Sequence, residues 1–138
     1  MNQIAIDQLM AQLRQLQPSS DSYASQVMDL LMECAAELRA SDVHVEKNSR
    51  ALKLRMRVAG ELHDLGEISD GKSTQVLSRI KAIARLVSYR SDIPQEGRFP
   101  LAGPSRGKQP AQGHAQEARV GTLPLIDGER AVIRLSSD

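Results

Sequence analysis

Apolar residues recur at three- and four-residue steps through the first forty positions, then switch to every second residue. In IAIDQLMAQLRQL, Ile6, Leu9, Met10, Leu13 and Leu16 share one helical stripe, and Pro18 with Ser19 and Ser20 ends it. A second helix is expected over 22–40. It turns Tyr23, Val27, Leu30, Leu31, Cys34 and Leu38 to the core and Asp29, Glu33 and Glu37 to water. From Val43 the period is two: Val43 and Val45 face one way, His44 and Glu46 the other. LKLRMRV continues it, with Leu52, Leu54, Met56 and Val58 inward and Lys53, Arg55 and Arg57 outward. Ala59–Gly60 marks a turn, and 61–65 reads as the third strand of an antiparallel meander. A third helix over 73–87 buries Val76, Leu77, Ile80, Ile83, Ala84 and Val87, leaving Arg79, Lys81 and Arg85 outside. Pro94-Gln-Glu-Gly-Arg98 reads as a compact turn, and the Gly- and Pro-rich stretch 101–113 as a mobile loop. Strands resume on each side of Asp127–Gly128, read as a two-residue hairpin turn. The order α-α-β-β-β-α-β-β-β describes an α+β domain with a largely antiparallel sheet. An N-terminal amphipathic helix, 1–18, stands before the domain proper, 19–138.

Composition narrows what such a domain can do. The 138 residues carry 18 basic and 17 acidic side chains, a net charge of +1, so a dedicated nucleic-acid module is not expected. Tyr23, Tyr89 and Phe99 are the only aromatics, too few for a base-stacking platform. Cys34 is alone, so neither an intrachain disulfide nor a cysteine zinc site can form, which suits a reducing compartment. No apolar stretch approaches the ~18 residues of a membrane span, and no h-region follows Met1. A soluble, cytosolic chain is expected. Its charge is unevenly spread: residues 1–49 balance at −4 and residues 50–138 at +5, which hints that the second part faces something anionic.

The motifs divide into false matches and candidates. Gly66-Glu-Ile-Ser-Asp-Gly71-Lys72-Ser73 satisfies the P-loop pattern and precedes a helix. Yet Glu67 and Asp70 would put carboxylates in the phosphate cradle, and the preceding ELHDL is too polar for a buried parallel strand. A glycine-bounded turn with Asp70 starting a helix is the plainer reading. His44-Val-Glu46 begins a zinc-deaminase signature whose P-C-x-x-C partner is missing. His44, His63 and His114 share no metal-ligand spacing, so no metal site is expected. Arg55, Arg57, Arg98, Arg119 and Arg134 remain. Guanidinium suits bidentate phosphate or carboxylate contact, and strands hold it in place. The alternative is a solvated face, or ion pairs with Glu46, Glu96 and Glu129.

Four blocks sharpen this: ASDVHVEK (40–47), LRMRVAGEL (54–62), LSRIKAIARL with PQEGRF (77–99), and ARVGTLPLIDGERAVIRL (118–135). In this order they resemble the domain preceding the ATPase core in type II secretion and type IV pilus-assembly ATPases. Ala59, Glu96 and Gly121 depart from that family's pattern, and the chain stops where the core with its P-loop would start. The resemblance implies a PAS-like α+β fold acting as the regulatory half of a hexameric motor. It implies docking against the ATPase core of the same or a neighbouring subunit, with nucleotide in the cleft between them. Arg98 and Arg119 are then the phosphate-contacting candidates, with Arg55, Arg57 and Arg134 as second-line or interdomain residues. ATP and Mg²⁺ are implied only together with the core. Inner-membrane secretion or pilus machinery is the implied partner, for a cytoplasmic protein held at that membrane only through other proteins. Catalysis by this chain alone is not expected. Two other readings stay open: a free-standing scaffold or adaptor module, and a small nucleotide-binding protein using Gly66 to Ser73.

Overall fold

The computed structural model of the chain describes residues 2–101 and 117–135. Helices α1 (Asn2–Gln15) and α2 (Tyr23–Leu38) precede strands β1 (Asp42–Lys47), β2 (Ala51–Val58) and β3 (Glu61–Ser69). Helix α3 (Asp70–Ile83) and strands β4 (Gln95–Pro100), β5 (Glu117–Leu125) and β6 (Gly128–Leu135) follow. The strands make one sheet in the order β3-β2-β1-β6-β5-β4, antiparallel at every pairing. The α+β class and element order expected from the sequence are both observed. Most of 101–113, and His114, lie outside the described residues.

Alternation along the strands builds the core. Val43, Val45, Leu52, Leu54, Met56, Val58, Val120, Ala131 and Ile133 are buried in one cluster with Val27, Leu31, Ala35, Val76 and Ile80 of the helices. The helices therefore cover one face of the sheet, and among the described residues the other carries mostly charged side chains, with Leu62, Leu123 and Val132 between them. α1 joins the same cluster, with Ile6 and Leu9 each 1% exposed and Met10, Leu13 and Leu16 packed at its border. α2 is rotated from the expected stripe. Met28 and Ala35 are buried, while Leu30, Cys34 and Leu38 are only half-buried flanks. Small Ala35 lets the helix lie close to the sheet, and α1 covers part of the flank.

Three expectations fail around α3. The helix stops at Ile83 and the chain turns through Arg85, whose φ is +62°, so Val87 is 40% exposed rather than core. Lys81, expected outside, is 1% exposed. Its ammonium meets Glu129 Oε1 at 2.7 Å and donates to the Arg90 carbonyl at 2.6 Å. After Pro94 the segment QEGR opens the edge strand β4 instead of making a turn, and its Gly97 serves close approach. A Cβ there would stand 2.4 Å from the Ala84 carbonyl oxygen and 2.8 Å from Leu86 Cδ2. Gln95, two residues before, clamps the same connection: it accepts from the Val87 N–H at 2.8 Å and donates to the Val87 and Arg90 carbonyls at 3.0 and 3.3 Å.

Two hairpins differ in how their glycines work. In the β2–β3 turn, Ala59 and Gly60 both have positive φ, +52° and +82°, the backbone that favours Asn or Asp then Gly. Alanine has no local hydrogen bond to offset that conformation. Ala59→Asn should therefore stabilise the chain by about 0.5–1 kcal/mol, measured by urea denaturation. In the β5–β6 hairpin, Leu125 pairs with Gly128, so the two turn residues are Ile126 and Asp127, one position before the pair expected. Gly128 is there because a Cβ would lie 1.7 Å from the Lys47 carbonyl oxygen.

Candidate functional site

Strand register gathers arginines that the sequence scatters over 78 positions. Arg98 is opposite Arg119, Arg119 opposite Arg134, Arg134 opposite Asp42, and Asp42 opposite Arg57. Directly opposed residues share a side of the sheet, so these five form one row across β4, β5, β6, β1 and β2, on the face without helices. Strands lie ~4.8 Å apart, which puts the Arg98, Arg119 and Arg134 backbones within about 10 Å. Arg55 sits in the next row, opposite His44.

Counter-charges are distributed unequally along the row. Arg57 is engaged, its Nε 3.5 Å from Asp42 Oδ2 and its Nη1 donating to the Gly60 carbonyl at 3.3 Å. Arg98 is 70% exposed and only loosely held, 3.7 Å from Glu117. Arg119 and Arg134 have no side-chain ion pair or hydrogen bond among the described residues. Like charges placed directly opposite one another destabilise a sheet. A run of three guanidiniums with one loose carboxylate beside it is thus suited to an anion brought from outside.

Asp42 is the one acid in the row. Burial alone would raise its pKa, but hydrogen bonds from Ser41 and His44 and the charges of His44 and Arg57 outweigh it. The carboxyl is held below the usual carboxylate range. A folded-state pKa below the unfolded one gives stability that is present above the unfolded value, about 3.9, and lost as pH falls through the folded value. Wild type should therefore melt above Asp42→Asn near neutral pH, and the gap should close below about pH 4. Thermal melts over a pH series check this.

Beside the arginine row lies a depression whose lining spans three cross-strand registers. His44, Glu46, Lys53, Arg55, Leu62 and Arg130 line a depression of about 70 Å³, against several hundred for a nucleotide-sized pocket. Arg130 is tied to Glu46 Oε1 by hydrogen bonds at 3.2 and 3.0 Å. The P-loop match has the wrong geometry. Gly66, Glu67, Ile68 and Ser69 continue β3 opposite Leu54, Lys53, Leu52 and Ala51, so their amides follow a strand instead of curling into a nest. Ser73 is fully buried. Among the described residues no group of three or more His, Cys, Asp or Glu could hold a metal ion.

A six-stranded antiparallel sheet with helices on one face and an arginine row on the other defines an α+β module. The family described as type II/IV secretion system protein matches residues 17–138, and the chain belongs to that family, as the resemblance of residues 40–135 implied. It is 38% identical over 118 residues to a type II secretion system protein E of Xanthomonas campestris, covering 85% of this chain and 19% of the relative. Against a type II secretion system ATPase E of Vibrio cholerae it is 32% identical, covering 87% of this chain and 22% of that one. A type IV pilus assembly ATPase TfpB of Acinetobacter baylyi is 31% identical, covering 85% and 19%. The chain thus spans about a fifth of the length of these relatives. The ATPase DotB of Yersinia pseudotuberculosis shares the fold, with a TM-score of 0.56 at 18% identity over 80% of this chain and 30% of that chain. No helix among the described residues is long and apolar enough to cross a membrane.

Of the residues singled out from the sequence, Arg98, Arg119 and Arg134 come together. Arg57 closes the row beyond Asp42, and Arg55 stands apart. Lys81, Gln95 and Glu129, read from the sequence as an outward lysine, part of a turn and an ion-pair partner for the arginines, instead hold the strands that carry the row.

Proposed function

We propose that this chain is the regulatory segment of a secretion or pilus-assembly ATPase, and that its arginine row meets nucleotide phosphates supplied by an ATPase core. The observation that carries this is the cross-strand adjacency of Arg98, Arg119 and Arg134, three guanidiniums with little internal compensation. A phosphate chain offers several negative oxygens in line, and guanidinium forks bind such oxygens two at a time. The rest of the nucleotide needs walls that the described residues of this face do not supply, so a core from the same or a neighbouring subunit completes the cleft. ATP and Mg²⁺ act in that assembly. Closing and opening of the cleft then converts hydrolysis into movement of the sheet. Secretion or pilus machinery at the inner membrane is the proposed partner, with the protein itself cytoplasmic.

Titrating the isolated chain with inorganic triphosphate, while following arginine Nε–Hε resonances, tests the reading. Arg98, Arg119 and Arg134 should shift together, with affinity no better than about millimolar because half a cleft makes few contacts. Arg79 and Arg85 should stay unmoved. Equal shifts at all exposed arginines would contradict the reading.

A further inference from the structure

We infer that the depression beside the arginine row is a socket for a single carboxylate, the Asp or Glu side chain of a partner protein. Arg55 and Lys53 lie on β2 two residues apart, on the same face, and both border the depression. Neither has a side-chain hydrogen bond or ion pair among the described residues. Arg57, two residues on, is already held by Asp42 and Gly60. Of the two arginines of that strand, Arg55 is the one left to meet a partner.

Size and charge choose the occupant. A space of about 70 Å³ holds a carboxylate head and is too small to enclose a nucleotide. Glu46 stands in the rim, fixed by Arg130. Its negative charge, with those of Glu67 opposite Lys53 and Asp64 opposite Arg55, lowers the attraction for a dianionic phosphate more than that for a monoanion. Leu62, 42% exposed, supplies an apolar wall for the methylenes of an acidic side chain. The row one step along the strands differs: it sets three arginines in succession, which suits a multiply charged phosphate chain. Two neighbouring anion sites of different valence therefore share one sheet face. The socket stands whether or not the row meets a nucleotide.

The test titrates this chain with two probes at constant ionic strength: glutamate blocked at both termini, and inorganic triphosphate. Arginine Nε–Hε shifts are the readout in the wild type, and backbone amide shifts of β1 and β2 are the readout in every variant. Blocked glutamate should shift Arg55 saturably. Lys53→Gln/Arg55→Gln should weaken it about tenfold, the worth of a charge-assisted contact, while leaving triphosphate within about twofold. Arg98→Gln/Arg119→Gln should do the reverse. Melting temperature verifies that each variant folds. If the first double variant does not fold, Arg55→Lys replaces it, with glutamate affinity lowered because the fork is lost. The inference is overturned if blocked glutamate leaves Arg55 unmoved, if triphosphate shifts Arg55 as strongly as Arg119, or if both double variants weaken both probes alike. A failure of triphosphate to bind, with glutamate still seated at Arg55, counts against the nucleotide reading and supports the socket.

Discussion

Replacing Lys81 with Ala should destabilise this chain by about 3–5 kcal/mol, because it leaves the Glu129 carboxylate buried without its counter-ion. Both residues are almost fully buried, at 1% and 2% exposure, and one lysine joins β6 to the connection that leads into β4. Glu129→Ala should cost a similar amount. A domain of this size has about 5–15 kcal/mol in total, so either single change removes a large share. Changing both together, Lys81→Met with Glu129→Leu, should cost far less, since apolar groups of similar volume often replace a buried pair without loss. Urea unfolding of the three variants decides it. If the double variant is as damaged as the single ones, the pair's role is not the mutual neutralisation argued from its geometry.

Arg98→Ala and Arg119→Ala should each lower ATP turnover by about 10³-fold in a protein that joins this chain to its ATPase core. Their effect on the chain's own melting should be small. Arg98 is 70% exposed with one loose partner, Arg119 is exposed, and exposed pairs are worth about 0–1 kcal/mol. Removing one of three opposed like charges relieves repulsion rather than breaking a contact. Lysine at either position should restore little, because an ammonium keeps the charge but not the fork. Steady-state turnover and melting, measured on the same preparations, separate the two effects. Unfolding of the isolated chain by either substitution would make these structural residues.

Much of this fold is written in periodicity. Val43 to Glu46 and Leu52 to Val58 alternate strictly, and the buried and solvent faces of β1 and β2 follow directly. Lys81 shows where reading by residue type misleads. Leu77, Lys81 and Ala84 are spaced by four and three, so the helical period itself places Lys81 on the buried stripe. Charge alone sends such a residue to water, whereas Glu129, forty-eight positions on, makes its burial possible. PQEGR misled similarly: its glycine suggested a turn, but Ala84 and Leu86 pack where a Cβ would stand. At the candidate site, the individual arginines were visible while their alignment was not. Register between β4, β5 and β6 depends on pairing across long separations, and no local pattern encodes that Arg98 faces Arg119.

The most direct measurement of contact between this face and a nucleotide is paramagnetic. With Mn²⁺–nucleotide bound to the chain joined to its ATPase core, the Nε–Hε signals of Arg98, Arg119 and Arg134 should broaden strongly. Arg79 and Arg85, which belong to α3 and its C-terminal end, should remain sharp. Broadening confined to the ATPase core, with the three row arginines as sharp as Arg79, would contradict the nucleotide role of the row.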